Sequence, residues 1–100
     1  MKARYEWDEA KNRNNFAKHG LSFEDAERVF SGPCITFVDD RHDYGEERFI
    51  TLGLLAGRLV VIVHVPRNEG TRIISMRKGS RHEQETYKKR LGTDRPDEGF

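Results

Sequence analysis

The sequence predicts an α+β domain with two N-terminal helices, a four-stranded mainly antiparallel sheet and a C-terminal helix. Helix-capping residues followed by helical spacing occur at both ends of the chain, and β-branched or aromatic runs fill its middle. Short glycine-containing connectors separate these runs, which suits antiparallel hairpins and not helical crossovers. Because the chain has 100 residues, of which 35% are hydrophobic, it can build the core of one small domain.

The two N-terminal helices are predicted from their caps. Asp8 precedes a stretch without proline or glycine, and Gly20 ends that stretch, so the first helix is predicted over residues 8–19. Ser22 starts a capping-box-like sequence for a second, short helix, which the Gly32-Pro33 pair stops.

Four strands are predicted where the hydrophobic period changes from that of a helix to that of a strand. They cover residues 34–38, 48–53, 59–65 and 71–76. The third strand is apolar on both faces, which is typical of a central strand. Ser80 and Glu83 then form a capping box, so a last helix is predicted to extend to about residue 91. Residues 1–91 are therefore expected to form one domain, and residues 92–100 a polar, flexible tail.

The charge distribution, the single cysteine and the spacing of the histidines indicate where the protein is located and which kinds of site it lacks. The net charge is only +1, but residues 21–47 are mainly acidic and residues 48–90 are mainly basic. Cys34 alone cannot form an internal disulfide, which suits a reducing cytoplasm, and neither a signal peptide nor a membrane span is predicted. The histidines lack paired ligand spacing, and phosphate-binding glycine loops are absent, so no metal and no cofactor are expected.

A candidate site lies where the fourth predicted strand meets the last helix. Glu83, Tyr87 and Leu91 are spaced by four, so they share one face of that helix. The unpaired N–H groups of a helix N-terminus favour an anion, so Arg77 and Arg81 could hold a phosphate there. Glu83 or Tyr87 could then move protons, as RNA cleavage by the neighbouring 2′-hydroxyl requires. The alternatives are structural, since Glu83 can complete the capping box or pair with Arg77, and Tyr87 can pack.

Linked motifs run through residues 5–90. The opening motif is Trp7-Asp8-x-x-Lys11-x-x-x-Asn15-x-x-Lys18-His19-Gly20-x-x-Phe23-x-x-Ala26. The later motifs are Arg41-His42, Gly45-Glu46-Glu47-Arg48-Phe49 with Gly53, Leu59-Val60-Val61, Arg72-Ile73-Ile74-Ser75-x-Arg77 and Glu83-x-x-x-Tyr87. In this order and at these spacings, the motifs resemble those of the BrnT family of bacterial toxins.

The resemblance implies a RelE-like ribonuclease fold and a toxin that cleaves RNA to arrest growth. It also implies a BrnA-like antitoxin with a ribbon-helix-helix part, through which alone the complex would bind operator DNA. The site residues that it implies are Arg77, Glu83, Tyr87, Arg48 and His19 for catalysis, with Lys18 for RNA binding. Charge and position in the sequence add three more residues to the RNA-binding set, namely Lys78, Arg81 and His42.

Two functions follow as hypotheses. The first is a metal-independent endoribonuclease in which Arg77 stabilises the extra charge of the transition state, while Glu83, Tyr87 or a histidine moves protons. The second is a non-catalytic RNA-binding or antitoxin-binding module that acts in operon autorepression. In both cases a cytoplasmic location is expected. Gly79 is predicted to loosen the junction between the fourth strand and the last helix.

Overall fold

A five-stranded mixed sheet with helices on both faces forms the centre of the structure. The structure is a computed structural model, and it describes residues 4–91. In chain order its elements are β1 (Arg4–Glu6), α1 (Glu9–His19), a 3₁₀ turn (Phe23–Asp25), α2 (Ala26–Ser31), β2 (Cys34–Asp39), β3 (Arg48–Leu55), β4 (Arg58–Arg67), β5 (Gly70–Lys78) and α3 (Arg81–Arg90). The predicted α+β class is confirmed. The predicted tail, residues 92–100, lies outside the described residues.

The strands are ordered β1-β5-β4-β3-β2 across the sheet. β1 runs parallel to β5, whereas all other neighbouring strands are antiparallel. The prediction of four strands is wrong, because β1 adds a fifth strand at the outer edge of β5. This strand has only three residues, so its conformation depends on pairing with a segment near the other end of the chain. The central position of β4 is confirmed.

The helix caps explain where the helices begin and end. The Asp8 side chain accepts a hydrogen bond from the Lys11 N–H at 3.1 Å, as predicted, and Gly20 ends α1 in the left-handed conformation. The second helix differs from its prediction, because the segment after Ser22 is a 3₁₀ turn and only Ala26–Ser31 is α-helical. The Asp25 N–H donates to the Ser22 carbonyl at 3.0 Å, which is the tighter spacing of a 3₁₀ turn.

The two faces of the sheet are covered unequally. α1, the 3₁₀ turn and α2 pack on one face, whose buried core comprises Phe23, Ala26, Val29, Val60, Ile62, Ile73 and Met76. α3 packs on the other face over a smaller core of Leu52, Leu59, Val61 and Tyr87, near the turn between β3 and β4. The rest of this second face, which carries Arg48, Arg72 and Arg77, is here termed the open face. These three arginines are only partly buried, so this part of the sheet remains accessible.

Asn15 fastens α1 to the edge of β5. Beyond its pairing with β1, which ends at Arg72, β5 has no strand on its outer side among the described residues. The Asn15 side chain takes the place of a strand there, since its Nδ2 donates to the Met76 carbonyl at 2.8 Å and its Oδ1 accepts from the Met76 N–H at 3.2 Å. Nδ2 also donates to the Leu21 carbonyl at 3.1 Å. One amide therefore satisfies the backbone groups that would otherwise be unpaired.

Asn15→Ala is expected to lower the free energy of unfolding by about 1–3 kcal/mol, because it leaves the Met76 backbone groups without partners. Urea unfolding measured by circular dichroism tests this loss. Asn14→Ala is the matched control, because Asn14 lies next to it on the exposed side of α1 and should change stability by less than about 0.5 kcal/mol. Equal stability of the two variants would contradict the role given to Asn15.

Candidate active site

The junction of β5 and α3 is built around one ion pair. Arg77 donates two parallel hydrogen bonds to Glu83, from Nη1 to Oε1 at 2.9 Å and from Nη2 to Oε2 at 2.7 Å. Nη1 also donates to the Lys78 carbonyl at 3.2 Å. This bidentate contact holds the planar guanidinium in one orientation, which a lysine ammonium could not match.

Glu83 also caps the N-terminus of α3. Its Oε1 accepts from the Ser80 N–H at 2.8 Å, and the Ser80 hydroxyl accepts from the Glu83 N–H at 3.2 Å, so the predicted capping box is confirmed. The hydrogen bond from Arg77 is the main cause that lowers the pKa of Glu83 to about 2. At neutral pH the carboxylate is therefore ionised, and it is a weak base.

Gly79 connects this junction to β4. Its N–H donates to the Leu59 carbonyl at 2.9 Å, which continues the pairing of β4 and β5 beyond Lys78. A Cβ at this position would lie only 2.5 Å from the Leu59 Cδ2, so the chain approaches Leu59 more closely than a larger residue allows. The expectation that Gly79 loosens the junction is wrong, because close packing and a backbone hydrogen bond hold it.

Two further arginines share the open face with Arg77. Arg48, which was predicted, is four positions from Leu52 on β3. An even separation puts both side chains on one face of a strand, so Arg48 lies on the side of the α3 core. Arg72 was not predicted. Five positions separate it from Arg77, and an odd separation normally places two residues on opposite faces of a strand. A bulge in the pairing of β4 and β5, at Val63/His64, reverses the alternation and brings Arg72 to the open face.

The β2–β3 loop, residues 40–47, is held against the open face by the buried carboxylate of Asp39. Asp39 accepts hydrogen bonds from Arg41, at 2.7 Å from Nε and 2.9 Å from Nη2, and from the Tyr44 hydroxyl at 3.3 Å. The hydrogen bond from Arg41 is the main cause that lowers the pKa of Asp39 to about 2. Tyr44 in turn packs against Arg48, whose Cζ lies 4.0 Å from the centre of the ring.

Arg41 belongs to this site although reasoning from the sequence left it out. Its partner Asp39 pairs with Arg48 in the sheet, which places Arg41 on the side of the open face. The hydrogen bond with Glu83 raises the pKa of Arg77, and the Arg41 charge has a smaller, opposite effect. In the sequence Arg41 stands among three aspartates, a pattern that is typical of a solvated turn. The Asp39 side chain is 0% exposed, so the loop is anchored and is not a solvated turn. The sequence carries no signal of this burial.

The family of the chain follows from a match that includes most of this site. A family model described as the ribonuclease toxin BrnT of type II toxin-antitoxin systems matches residues 7–83, more than three quarters of the chain. The chain belongs to the BrnT family. The resemblance seen in the motifs is thereby confirmed, and membership indicates a ribonuclease toxin that has an antitoxin as its partner. A search among curated proteins finds no match to the chain.

Lys18 and His19 lie at the end of α1 in this BrnT toxin. α1 packs beside β5 and not on the open face. Neither of the two side chains forms a hydrogen bond or an ion pair with another residue of the described range 4–91. Their catalytic and RNA-binding roles remain predictions.

Tyr87 lies in the core below α3. It is 1% exposed, its hydroxyl donates to the Pro33 carbonyl at 2.7 Å, and burial raises its pKa. This contact ties the end of α3 to the start of β2, as the packing alternative predicts. The structure therefore does not bring the Tyr87 hydroxyl to the open face.

The remaining predicted residues lie around the site at the surface. Lys78 lines a cleft of about 330 Å³ between α3 and the turn from β3 to β4, and Arg81 is exposed in the first turn of α3. His42 is exposed on the β2–β3 loop, where its ring meets the Tyr44 ring edge to face at 5.7 Å between centres. Of these three residues, His42 contacts Tyr44, which packs on Arg48, whereas Lys78 follows Arg77 directly at the end of β5.

His64 is a polar group of the opposite face. Its Nε2 lies 2.7 Å from the Thr51 hydroxyl, and burial lowers its pKa to about 4, so it is neutral at physiological pH. Within residues 4–91, no group of three or more histidine, cysteine or acidic side chains is arranged to hold a metal ion. In the same part of the chain, no helix has the length and apolar character needed to cross a membrane.

Glu83→Gln is expected to lower the melting temperature at neutral pH, because glutamine keeps the capping hydrogen bond but loses the charge that pairs with Arg77. This deficit should shrink in acid. The pKa of Glu83 in the folded chain is about 2, below the ordinary 4.5, so the charge stabilises the fold above about pH 4.5 and this contribution is lost as the pH falls towards 2. Thermal unfolding followed by circular dichroism across this pH range measures the change.

The control for this experiment is Glu85→Gln on the exposed side of the same helix. It removes one carboxylate from α3 without affecting the junction, so its melting temperature should stay close to that of the wild type throughout. A deficit of Glu83→Gln that persisted unchanged in acid would show that the charge of Glu83 does not stabilise the fold.

Proposed function

We propose that this toxin is a metal-independent endoribonuclease that cleaves RNA on its open face. The observation that carries the proposal is the Arg77 guanidinium, which Glu83 holds in one orientation while 40% of the side chain stays exposed. A preoriented cation of this kind stabilises the extra negative charge that a phosphodiester gains in the transition state. Arg48, Arg72 and Arg41 lie on the same side of the sheet, where Arg72 is paired with Glu6 at 3.0 Å and Arg48 lies 3.8 Å from Glu46. This group of guanidinium side chains supports an RNA backbone as the substrate.

The proposed reaction uses the 2′-hydroxyl of the RNA as the nucleophile. A base removes its proton, the 2′-oxygen bonds to phosphorus, the bond from phosphorus to the 5′-oxygen breaks, and that oxygen takes up a proton. Arg77 binds the non-bridging oxygens and Arg48 supports it. We assign the removal of the 2′-hydroxyl proton to His42, because His42 is exposed on the β2–β3 loop beside the open face. Water is assigned as the donor of the proton to the 5′-oxygen.

Glu83 is proposed as the positioning residue of Arg77 and not as the base. Both of its carboxylate oxygens already accept hydrogen bonds, and a pKa of about 2 makes it a weak proton acceptor at neutral pH. The hydroxyl of Tyr87 is directed to a backbone carbonyl inside the core, which supports a packing role. The charges of Lys18, Lys78 and Arg81 support only a general contribution to RNA binding.

Metal independence is supported by the donor set of the described residues. No cluster of ligands suited to a metal occurs within residues 4–91, whereas guanidinium groups are concentrated where the phosphate would bind. These groups can supply the positive charge that a metal ion supplies in other phosphodiesterases. Histidine and water can supply the proton transfers.

A second candidate function is a non-catalytic module that binds RNA or the antitoxin in operon autorepression. The low pKa of Glu83 and the position of the Tyr87 hydroxyl in the core favour this function, because both observations argue against these residues as bases. His42 is then the one proton acceptor that we assign to the open face. A binding module would keep the arginines and shift the mobility of RNA without cutting it.

We propose that the antitoxin is BrnA-like and that it covers the open face in the cytoplasm. The cluster of exposed guanidinium groups favours an acidic partner segment, and blocking these groups would stop RNA from binding. Operator DNA would be contacted by the ribbon-helix-helix part of the antitoxin, while the toxin would serve as its co-repressor.

Purified toxin free of antitoxin is expected to degrade single-stranded RNA in the presence of EDTA, because protein side chains supply the charge and the proton transfers. Gel electrophoresis of the products measures this activity. Activity that is lost in EDTA and restored by magnesium or manganese would refute metal independence. Retarded but intact RNA would favour the binding module.

Arg77→Ala is expected to reduce the rate of RNA cleavage by about a hundredfold or more, because it removes a preoriented charge from the transition state. Arg77→Lys should rescue poorly, since lysine lacks the planar fork that holds two phosphate oxygens. His42→Gln should reduce kcat by at least about a hundredfold if His42 is the base. Single-turnover kinetics on one RNA substrate measures all three variants.

Arg28→Ala is the matched control, because Arg28 is an exposed arginine of α2 on the opposite face of the sheet. It should cleave at nearly the wild-type rate. Melting temperatures measured on the same preparations separate lost chemistry from lost folding. Wild-type cleavage by Arg77→Ala would exclude Arg77 from the active site and direct the search towards Lys18 and His19.

A further inference from the structure

We infer that Arg41, positioned by Asp39, binds a second phosphate of the RNA, adjacent to the scissile phosphate at Arg77. The inference rests on the proposed function. It assigns a binding residue to the β2–β3 loop and predicts that the toxin prefers RNA with several consecutive phosphodiesters over a substrate that has only one.

Two arginines of the site are held in the same way. Arg41 is bidentate on Asp39 through Nε and Nη2, just as Arg77 is bidentate on Glu83. In both pairs the cation is more exposed than the carboxylate, at 57% against 0% for Arg41 and Asp39, and at 40% against 24% for Arg77 and Glu83. A ligand that approaches either pair therefore meets the guanidinium first.

The buried carboxylate of Asp39 adds little to the stability of the fold. Removing a carboxylate from water is expensive, and pairing it with an arginine seldom yields net stability. The arrangement does fix one orientation of the Arg41 guanidinium on an otherwise exposed loop, with its Nη1 outside the bidentate pair. Such fixation is useful where a planar cation must meet phosphate oxygens, because the entropy of ordering the side chain is already lost before the ligand binds.

Arg41 and Arg77 are also held on the same side of the sheet. Asp39, which fixes Arg41, is the antiparallel partner of Arg48 on the open face, and the Tyr44 hydroxyl donates to the same carboxylate. The lowering effect of the Arg41 charge on the pKa of Arg77 agrees with this placement. Two cations held near each other repel, and anions bound at both of them relieve the repulsion. Successive phosphates of one RNA strand supply such a pair of anions at fixed spacing.

The test compares two double variants that leave the net charge unchanged. Asp39→Asn/Arg41→Gln removes the pair of the β2–β3 loop, and Asp25→Asn/Arg28→Gln removes an ion pair of α2 on the opposite face as the matched control. The binding probe is a fluorescein-labelled 2′-O-methyl oligoribonucleotide, which lacks the nucleophile and therefore stays intact. Fluorescence anisotropy at several salt concentrations gives the affinity and its salt dependence.

The loop variant is expected to bind the probe roughly tenfold more weakly, and the slope of log affinity against log salt should fall by about 0.7, as expected for the loss of one phosphate contact on a single strand. The control variant should match the wild type in both. For cleavage, the loss in kcat/KM of the loop variant should be at least about tenfold greater on an oligoribonucleotide than on a dinucleoside monophosphate. A purely structural role of Asp39 would reduce both substrates alike and would overturn the inference.

Arg41→Lys serves as the second variant if the double variant is too unstable to study, because it keeps the charge but not the bidentate contact. It should bind the probe more weakly than the wild type, and wild-type affinity with an unchanged salt slope would overturn the inference. A different result would refute the proposed function, namely RNA that stays intact when it is incubated with the wild-type toxin. The binding measurements still decide the role of Arg41 in that case, because their probe is not cleaved.

Discussion

The bidentate contact between Arg77 and Glu83 is the interaction on which the rest of the site depends. The same carboxylate accepts a hydrogen bond from the Ser80 N–H, so one side chain caps α3 and orients the cation. These two roles cannot be changed independently. The low pKa of Glu83 expresses the same coupling, because the charge that the arginine needs is also the charge that the helix N-terminus favours.

The fold leaves this contact accessible by covering one face of the sheet fully and the other only in part. α3 is short, and the Tyr87 hydroxyl anchors it to the Pro33 carbonyl, so it covers the end of the sheet near the turn from β3 to β4. At the opposite edge Asn15 satisfies the backbone of β5 without adding another strand. The apolar cores are thus closed while a basic surface stays open beside α3.

The chemistry that this surface supports is that of fixed cations. Arg77 and Arg41 are each held by a carboxylate that is less exposed than the guanidinium, which orients the charge without hiding it. His64 is neutral and lies on the other face, whereas the exposed His42 contacts Tyr44, which packs on Arg48. A site of this composition suits a substrate with repeated phosphates, and it agrees with the ribonuclease class of the BrnT family.

Much of the fold was predictable because its signals act over a few residues. The caps at Asp8 and Ser80, the four longer strands, the central β4 and the family motifs are properties of neighbouring positions, and so is the pairing partner that Glu83 offers to Arg77. The sequence by itself therefore determined the α+β class, the junction and the family. It could not determine β1, whose conformation comes from pairing with a distant strand, nor the contribution of Arg72 to the open face, which depends on a bulge that reverses the alternation of side chains. Only the tertiary structure decided that Asp39 is buried and that its loop carries Arg41 to the site, because burial depends on contacts between segments far apart in the chain.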